Sequence, residues 1–129
     1  MKTFLLLASS SILMFSACKA EPASEETTAT SRTLTREIIS LAKGQNTAEL
    51  AKKILPAEES GVKRHAATEE GVKKILAGVD PLTVEFGPTY YSKEKSVIVV
   101  KIKAPLLIDL EYSIDPKTGK PAKLQALHP

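Results

Sequence analysis

Apolar residues along the chain follow a helical spacing first and a strand spacing afterwards. Between Leu34 and Val79 they recur at three- and four-residue intervals, which is typical of amphipathic helices. From Ile98 to Ile114 every even-numbered residue is apolar, whereas several odd-numbered residues are charged. This alternation predicts strands with one face in the core and the other in water.

Three helices are predicted from their capping residues and apolar faces. Asn46 and Glu49 have the spacing of a capping box, and Thr68 is placed to cap the third helix. Pro56 ends the second helix, because a residue before proline is pushed out of the helical region. The predicted helices span residues 34–43, 46–55 and 68–79, with a polar connection over 57–67.

The strands begin with a short alternating run over 82–86, which the Gly87-Pro88 pair interrupts. The long alternating run would reach ~60 Å as one strand, so we expect it to break at Pro105. A three-residue turn over 103–105 pairs Ile102 with Leu106 and keeps the even positions on one face. A bent continuous strand is the alternative.

The C-terminal residues predict a final hairpin. The segment from Asp115 to Lys120 has proline and glycine in positions typical of a turn. The strand that follows, from Ala122 to Leu127, is short and polar enough for a sheet edge. Together these elements predict an α+β domain over 34–129. Two or three N-terminal helices pack on one face of a curved antiparallel sheet of four or five strands.

Two resemblances accompany this element order. Helices followed by a long antiparallel sheet resemble the cystatin-like cone of the nuclear-transport-factor superfamily, which is widespread among small secreted bacterial domains. Residues Tyr112 to Lys120 are similar to the terminal hairpin of PepSY-type domains, where an aspartate and a Thr-Gly turn join two strands. Neither resemblance implies site residues for this chain.

The N-terminus has the three regions of a secretory signal. Lys2 supplies a positive start, an uncharged stretch follows to Ala17, and small residues precede Cys18. The stretch is interrupted by serines and is shorter than the ~20 apolar residues that a membrane span needs. We therefore predict a signal peptide over residues 1–17.

The tetrapeptide Phe15-Ser16-Ala17-Cys18 resembles the lipobox of bacterial lipoprotein precursors, although Phe15 stands where Leu is usual. The resemblance implies that the Cys18 thiol receives a diacylglyceryl group, so that membrane lipid is the partner of this residue. Lys19 follows in place of the aspartate that favours inner-membrane retention. In a Gram-negative envelope this implies the outer membrane, facing the periplasm. The alternatives are ordinary secretion, with cleavage after Ala17 or Ala20, and an uncleaved anchor.

A polar stretch separates Cys18 from the first predicted helix. Residues 19–33 contain no large apolar side chain and are rich in Ala, Thr, Ser and Glu. Such a composition cannot bury enough surface to offset the entropy of ordering the chain. We therefore expect residues 18–33 to be a lipidated cysteine followed by a flexible tether.

Composition excludes several classes of protein. The chain has 129 residues, 18 of them basic and 15 acidic, with the two signs interleaved, so nucleic acid is not an expected partner. A single cysteine excludes a disulfide framework. Cys18 is thus interpreted as an attachment point for lipid.

No catalytic residue, cofactor site or metal site is predicted. His65 in a loop and His128 at the C-terminus are each expected to face solvent. The neighbouring carboxylates Glu58-Glu59 and Glu69-Glu70 are expected on solvated helix ends. Ser96 and Ser113 have no base close in sequence, and the glycines are scattered.

The expected function is a membrane-anchored envelope lipoprotein whose small, non-enzymatic domain binds a protein partner or a small ligand through its sheet. The alternatives are a small pocket enzyme, a hydrolase or isomerase of the cone type, and an ordinary secreted protein. Four lysines surround one predicted hairpin: Lys93, Lys95, Lys101 and Lys103. We interpret them as edge protection and solubility, with an anionic partner as the alternative.

Overall fold

The computed structural model describes residues 20–129, so the predicted signal peptide and Cys18 lie outside the described residues. In this part of the chain five strands form one antiparallel sheet in the order β1-β2-β3-β4-β5, and four helices accompany it. The elements are β1 (Ala20–Pro22), α1 (Glu25–Lys43), α2 (Thr47–Ala51), α3 (Ala57–Ser60), α4 (Glu69–Leu76), β2 (Glu85–Ser92), β3 (Val97–Ala104), β4 (Ile108–Ile114) and β5 (Pro121–His128). The predicted α+β class is confirmed. None of the described helices is long and apolar enough to cross a bilayer.

The prediction of a flexible tether is wrong for residues 20–33. Residues 20–22 pair with β2, and α1 begins at Glu25. Ser24 caps the helix, because its Oγ accepts a hydrogen bond from the Thr27 backbone nitrogen at 3.1 Å. Small side chains such as Ser31 are fully buried, so α1 lies close to the sheet without any large apolar residue in its first half.

The even-numbered positions of β3 and β4 form the core, as the alternation predicted. Tyr112 is the largest fully buried side chain, and its hydroxyl lies 2.7 Å from Thr35 Oγ1 of α1. Burial raises the pKa of Tyr112 above its ordinary value, against the smaller opposing effect of the Thr35 hydrogen bond. The other core residues on these two strands are Ile98, Val100, Ile102, Ile108 and Leu110.

Both predicted helix caps are confirmed. The Asn46 side chain accepts from the Glu49 backbone nitrogen at 3.3 Å, and Thr68 Oγ1 accepts from Gly71 at 3.0 Å. The second helix is shorter than expected, because residues 53–55 leave it to pair with β5. Residues 57–60 then form α3 inside the predicted polar connection.

β2 differs from its prediction at both ends. It begins at Glu85, and it continues through the Gly87-Pro88 pair, which was expected to interrupt it. The chain accommodates this pair with a register shift between Phe86 and Thr89. Glycine fits here because a Cβ at position 87 would lie 3.1 Å from the Cδ atom of Lys101.

The β3–β4 turn is two residues longer than predicted. Ile102 pairs with Ile108, and Val100 pairs with Leu110, so each register partner is shifted by two residues from the expected one. Because side chains alternate with a period of two, the shift keeps the even positions on the core face. The predicted face is therefore right and the predicted register is wrong.

β5 is an edge strand, as expected, but other backbone segments pair with its outer edge. Leu55 donates a backbone hydrogen bond to Leu124, and Ala67 donates one to Gln125. The second contact fixes the segment before α4 against the strand. That segment forms one wall of the candidate site.

Candidate functional site

A cleft of about 660 Å³ lies on the sheet face opposite the buried core. One wall is the segment over residues 60–65, which the backbone hydrogen bond from Leu127 to the His65 carbonyl holds beside β5 at 2.9 Å. The charged and imidazole side chains that line the cleft are Lys63, Arg64, His65, Lys95, Glu111 and His128. Its volume is in the range of small-molecule binding sites.

The floor of the cleft is a buried carboxylate. Glu111 lies in the middle of β4, and its side chain is only 7% exposed. One carboxylate oxygen, Oε1, lies 3.4 Å from Lys95 Nζ, and the other, Oε2, lies 3.2 Å from His128 Nε2. These two partners offset part of the unfavourable burial of the carboxylate.

The contact between His128 and Glu111 is close but poorly aligned. Although Nε2 lies 3.2 Å from Oε2, Nε2 is buried and meets no hydrogen-bond geometry with any described residue. The two groups therefore lie close together without the directional hydrogen bond that usually satisfies a buried nitrogen. Buried polar atoms without a partner are uncommon, and functional sites are among the places where they occur.

The structure brings the two histidines together, although the sequence indicated only that each of them faces solvent. The ring centroids of His65 and His128 are 5.2 Å apart, and the planes meet at 70°. His65 is exposed, as expected, whereas the side chain of His128 is only 34% exposed. His65 also has a φ of 62°, in the left-handed region that residues other than glycine rarely adopt.

Positive charge dominates the walls of the cleft. Lys63, Arg64 and Lys95 contribute three cations, and Glu111 is the one carboxylate among the lining residues. Neither Lys63 nor Arg64 takes part in an ion pair with any of residues 20–129. The cleft is thus chemically suited to an anion.

Two of the other lysines in the predicted hairpin cluster have partners outside the cleft. Lys101 pairs with Asp109 at 3.0 Å, and Lys93 pairs with Glu21 at 2.9 Å. The hydrogen bond to Glu21 raises the pKa of the Lys93 ammonium above its ordinary value. Lys103 is exposed on β3, so Lys95 is the member of this cluster that lines the cleft.

The other residues that the sequence analysis considered for catalysis or metal binding do not line the cleft. The pairs Glu58-Glu59 and Glu69-Glu70 lie in the first turns of α3 and α4. Ser113 accepts a hydrogen bond from the Lys123 backbone nitrogen, and Ser96 lies in the β2–β3 turn. Within residues 20–129, no group of three or more His, Cys, Asp or Glu side chains is placed to hold a metal ion.

No family model, curated protein or solved structure matches this chain. Sequence spacing did not indicate the cleft, because His65 and His128 meet only through the pairing of a loop with the outer edge of β5. The sequence feature that could have indicated the cleft is Glu111, a carboxylate in the middle of an otherwise apolar strand pattern.

Proposed function

We propose that this chain is a lipid-anchored protein of the bacterial cell envelope whose domain binds a small anionic ligand in the cleft. The ligand class is a small molecule with carboxylate or phosphate groups. The observation that carries the binding proposal is the set of three cations and two imidazoles around a cleft with one carboxylate. The anchor proposal rests on Cys18 and on the resemblance of residues 15–18 to a lipobox.

The roles of the lining residues follow from their exposure. Arg64 is exposed and offers a planar fork of donors, which suits bidentate contact with a carboxylate or phosphate. Lys63 and Lys95 add point charges on flexible stems. Glu111 lies between Lys95 and His128 at the floor, and its negative charge opposes that of a bound anion.

Calorimetric titration of the full chain, purified in a neutral detergent, tests the binding proposal. We expect saturable binding of inorganic phosphate or citrate. Arg64→Gln should weaken it by about fivefold, the equivalent of ~1 kcal/mol for one partly exposed charge. Lys43→Gln is the matched control, since it removes one exposed cation at the end of α1. Absence of saturable heat, or equal affinity in the two variants, would contradict the proposal.

The anchor has its own test. Metabolic labelling with palmitate in bacterial cells should label the native chain, and Cys18→Ser should abolish the label. Label retained in the variant would rule out Cys18 as the attachment point.

A second candidate function is catalysis, and one contact favours it. Glu111 Oε2 lies 3.2 Å from His128 Nε2, close enough to form, once the ring is realigned, the hydrogen bond that orients a histidine for general acid–base chemistry. Against the alternative of a cone-type pocket, the core side of β3 and β4 is filled by aliphatic residues and Tyr112. Saturable hydrolysis of p-nitrophenyl acetate that His128→Gln abolishes would support an enzyme. A rate equal to that of free imidazole would count against it.

A further inference from the structure

The floor of the cleft is unfavourable for a simple anion. Glu111 forms this floor and is the one carboxylate among the lining residues. Its negative charge repels an anionic group that comes close to it, whereas Lys63 and Arg64 on the loop wall attract such a group. The part of a bound ligand that reaches the floor is therefore not its anionic group.

The Glu111 carboxylate has unused capacity to accept hydrogen bonds. An ionised carboxylate offers about four lone-pair sites. Oε1 accepts one hydrogen bond, from Lys95 Nζ at 3.4 Å, and Oε2 accepts none from any of residues 20–129. Since a buried carboxylate is costly unless its oxygens are hydrogen-bonded, a donor that enters the cleft and reaches Glu111 supplies a missing partner.

A β-bulge adds a neutral amide to the lining beside Glu111. Glu111 pairs with Ala126, and Tyr112 pairs with Leu124. Gln125 is therefore the extra residue of β5 at this register shift. Bulges change the direction in which a side chain points, and Gln125 lines the cleft whereas Leu124 lies in the core. The Gln125 amide both donates and accepts hydrogen bonds.

The donor that suits this floor is uncharged. Lys95 Nζ already lies 3.4 Å from Glu111 Oε1, so a second cation at the floor would be repelled at close range. A hydroxyl donates its proton to a carboxylate without adding positive charge. It also accepts a hydrogen bond from an amide such as that of Gln125. Several hydroxyls on one skeleton therefore match both floor residues.

We infer that the ligand of the cleft is an anionic sugar, with its hydroxyls on Glu111 and Gln125 and its carboxylate or phosphate at Arg64. This inference rests on the anion-binding function proposed above and adds the chemical class of the ligand. It also gives a reason for a carboxylate in a site for anions, because Glu111 binds the neutral part of the ligand.

Two matched pairs of ligands test the inference by calorimetric titration of the full chain, in a detergent without a sugar headgroup. Glucuronate is compared with cyclohexanecarboxylate, and glucose 1-phosphate with cyclohexyl phosphate. Within each pair the anionic group is the same and only one member carries hydroxyls. Inorganic phosphate is titrated beside them as the test of anion binding itself.

We expect the hydroxylated member of at least one pair to bind about tenfold more tightly, and that pair identifies the anionic group. Glu111→Gln should reduce this preference to about twofold, because hydrogen bonds to a charged acceptor are stronger than those to a neutral one. Gln125→Met, which keeps the length of the side chain, should reduce it about threefold. Glu49→Gln removes an exposed carboxylate on α2 and should leave it unchanged.

Three other outcomes would overturn the inference. If phosphate binds but neither sugar binds more tightly than its matched partner, the cleft is an anion site without a sugar preference. If a preference is present and neither Glu111→Gln nor Gln125→Met reduces it, the hydroxyls do not lie on this floor. If no anion binds at all, the proposed function and this inference fail together.

Discussion

Glu111 and His128 face each other across β4 and β5, with the carboxylate Oε2 3.2 Å from the imidazole Nε2. They are not register partners, since Glu111 pairs with Ala126 and His128 pairs with Asp109. A register shift directly after Glu111 accompanies this diagonal contact. The arrangement buries a carboxylate below two histidines and three cations.

Removing the charge of Glu111 should strengthen anion binding. Glu111→Gln keeps the size of the side chain and removes the one carboxylate of the cleft, so its positive potential rises. We expect phosphate to bind about fivefold more tightly, as for a gain of ~1 kcal/mol. Glu49→Gln is the control, because Glu49 forms an exposed pair with Lys52 on α2. A lower affinity in Glu111→Gln than in the control would contradict this account of the floor.

A glycine substitution at His65 removes the imidazole ring and keeps the left-handed backbone, so it tests the ring alone. Glycine adopts a φ of 62° freely, so His65→Gly relieves backbone strain of about 1 kcal/mol while it removes the imidazole. Because glycine also loses more backbone entropy on folding, by roughly 0.5–1 kcal/mol, we expect little net change in the free energy of unfolding. We expect a severalfold loss of phosphate affinity. Urea denaturation and calorimetry measure the two quantities. Unchanged affinity would show that the ring takes no part in binding.

The buried hydrogen bond between α1 and β4 should contribute to stability. Thr35 Oγ1 donates to the Ser31 carbonyl at 2.8 Å, so Tyr112 supplies the proton of the 2.7 Å contact with Thr35. Tyr112→Phe should lower the free energy of unfolding by about 1 kcal/mol. A double-mutant cycle with Thr35→Val in urea isolates the pair. Additive effects of the two substitutions would indicate that the contact contributes nothing.

Stability should fall at alkaline pH, in part because of the same tyrosine. Burial raises the folded-state pKa of Tyr112 above 10.0, so the unfolded chain loses the phenolic proton first. The contribution of this group to stability is therefore complete below pH 10 and decreases as pH rises above it, by up to about 1.4 kcal/mol per pH unit. Urea denaturation across this range should show a shallower decline for Tyr112→Phe. If the free energy of unfolding fell equally with pH in the native protein and in Tyr112→Phe, Tyr112 would not contribute to the alkaline loss of stability.

The lipid anchor should determine where the protein is found. In bacterial cells, the native chain should fractionate with membranes, because two or three acyl chains bind a bilayer far more strongly than one. Cys18→Ser should shift it to the soluble fraction. Ala17→Ser keeps the thiol and a small residue before the cut, so it serves as the control. Equal membrane association of native protein and Cys18→Ser would contradict the anchor.

Local sequence signals predicted much of the fold. Asn46 and Thr68 cap helices where their positions indicated, and the apolar alternation identified the core face of β3 and β4. The start of α1 was missed because its buried residues are small and polar, so no apolar stripe marks the first two turns. The strand through Gly87-Pro88 was missed because a register shift absorbs a pair that usually ends strands.

The cleft itself could not be predicted, because it depends on contacts between residues far apart in the chain. His65 reaches His128 only because residues 65–67 pair with the outer edge of β5. Lys95 reaches Glu111 only because the β3–β4 register places the β2–β3 turn beside that part of β4. The alternation placed Glu111 on the face opposite the core and predicted that this face lies in water, whereas Glu111 is buried in the structure. It contained no information about the segment that covers this residue.

The imidazole proton signals of the two histidines provide the most direct test of anion binding in the cleft. His65 and His128 are the only histidines in the chain, so His65→Gln and His128→Gln assign both sets of signals. During an NMR titration of the full chain with inorganic phosphate at constant pH, both rings should shift along one saturable curve. Sodium chloride at matched ionic strength should leave them unchanged. If neither ring shifts with phosphate, or chloride shifts them equally, the cleft is not the anion site that this account requires.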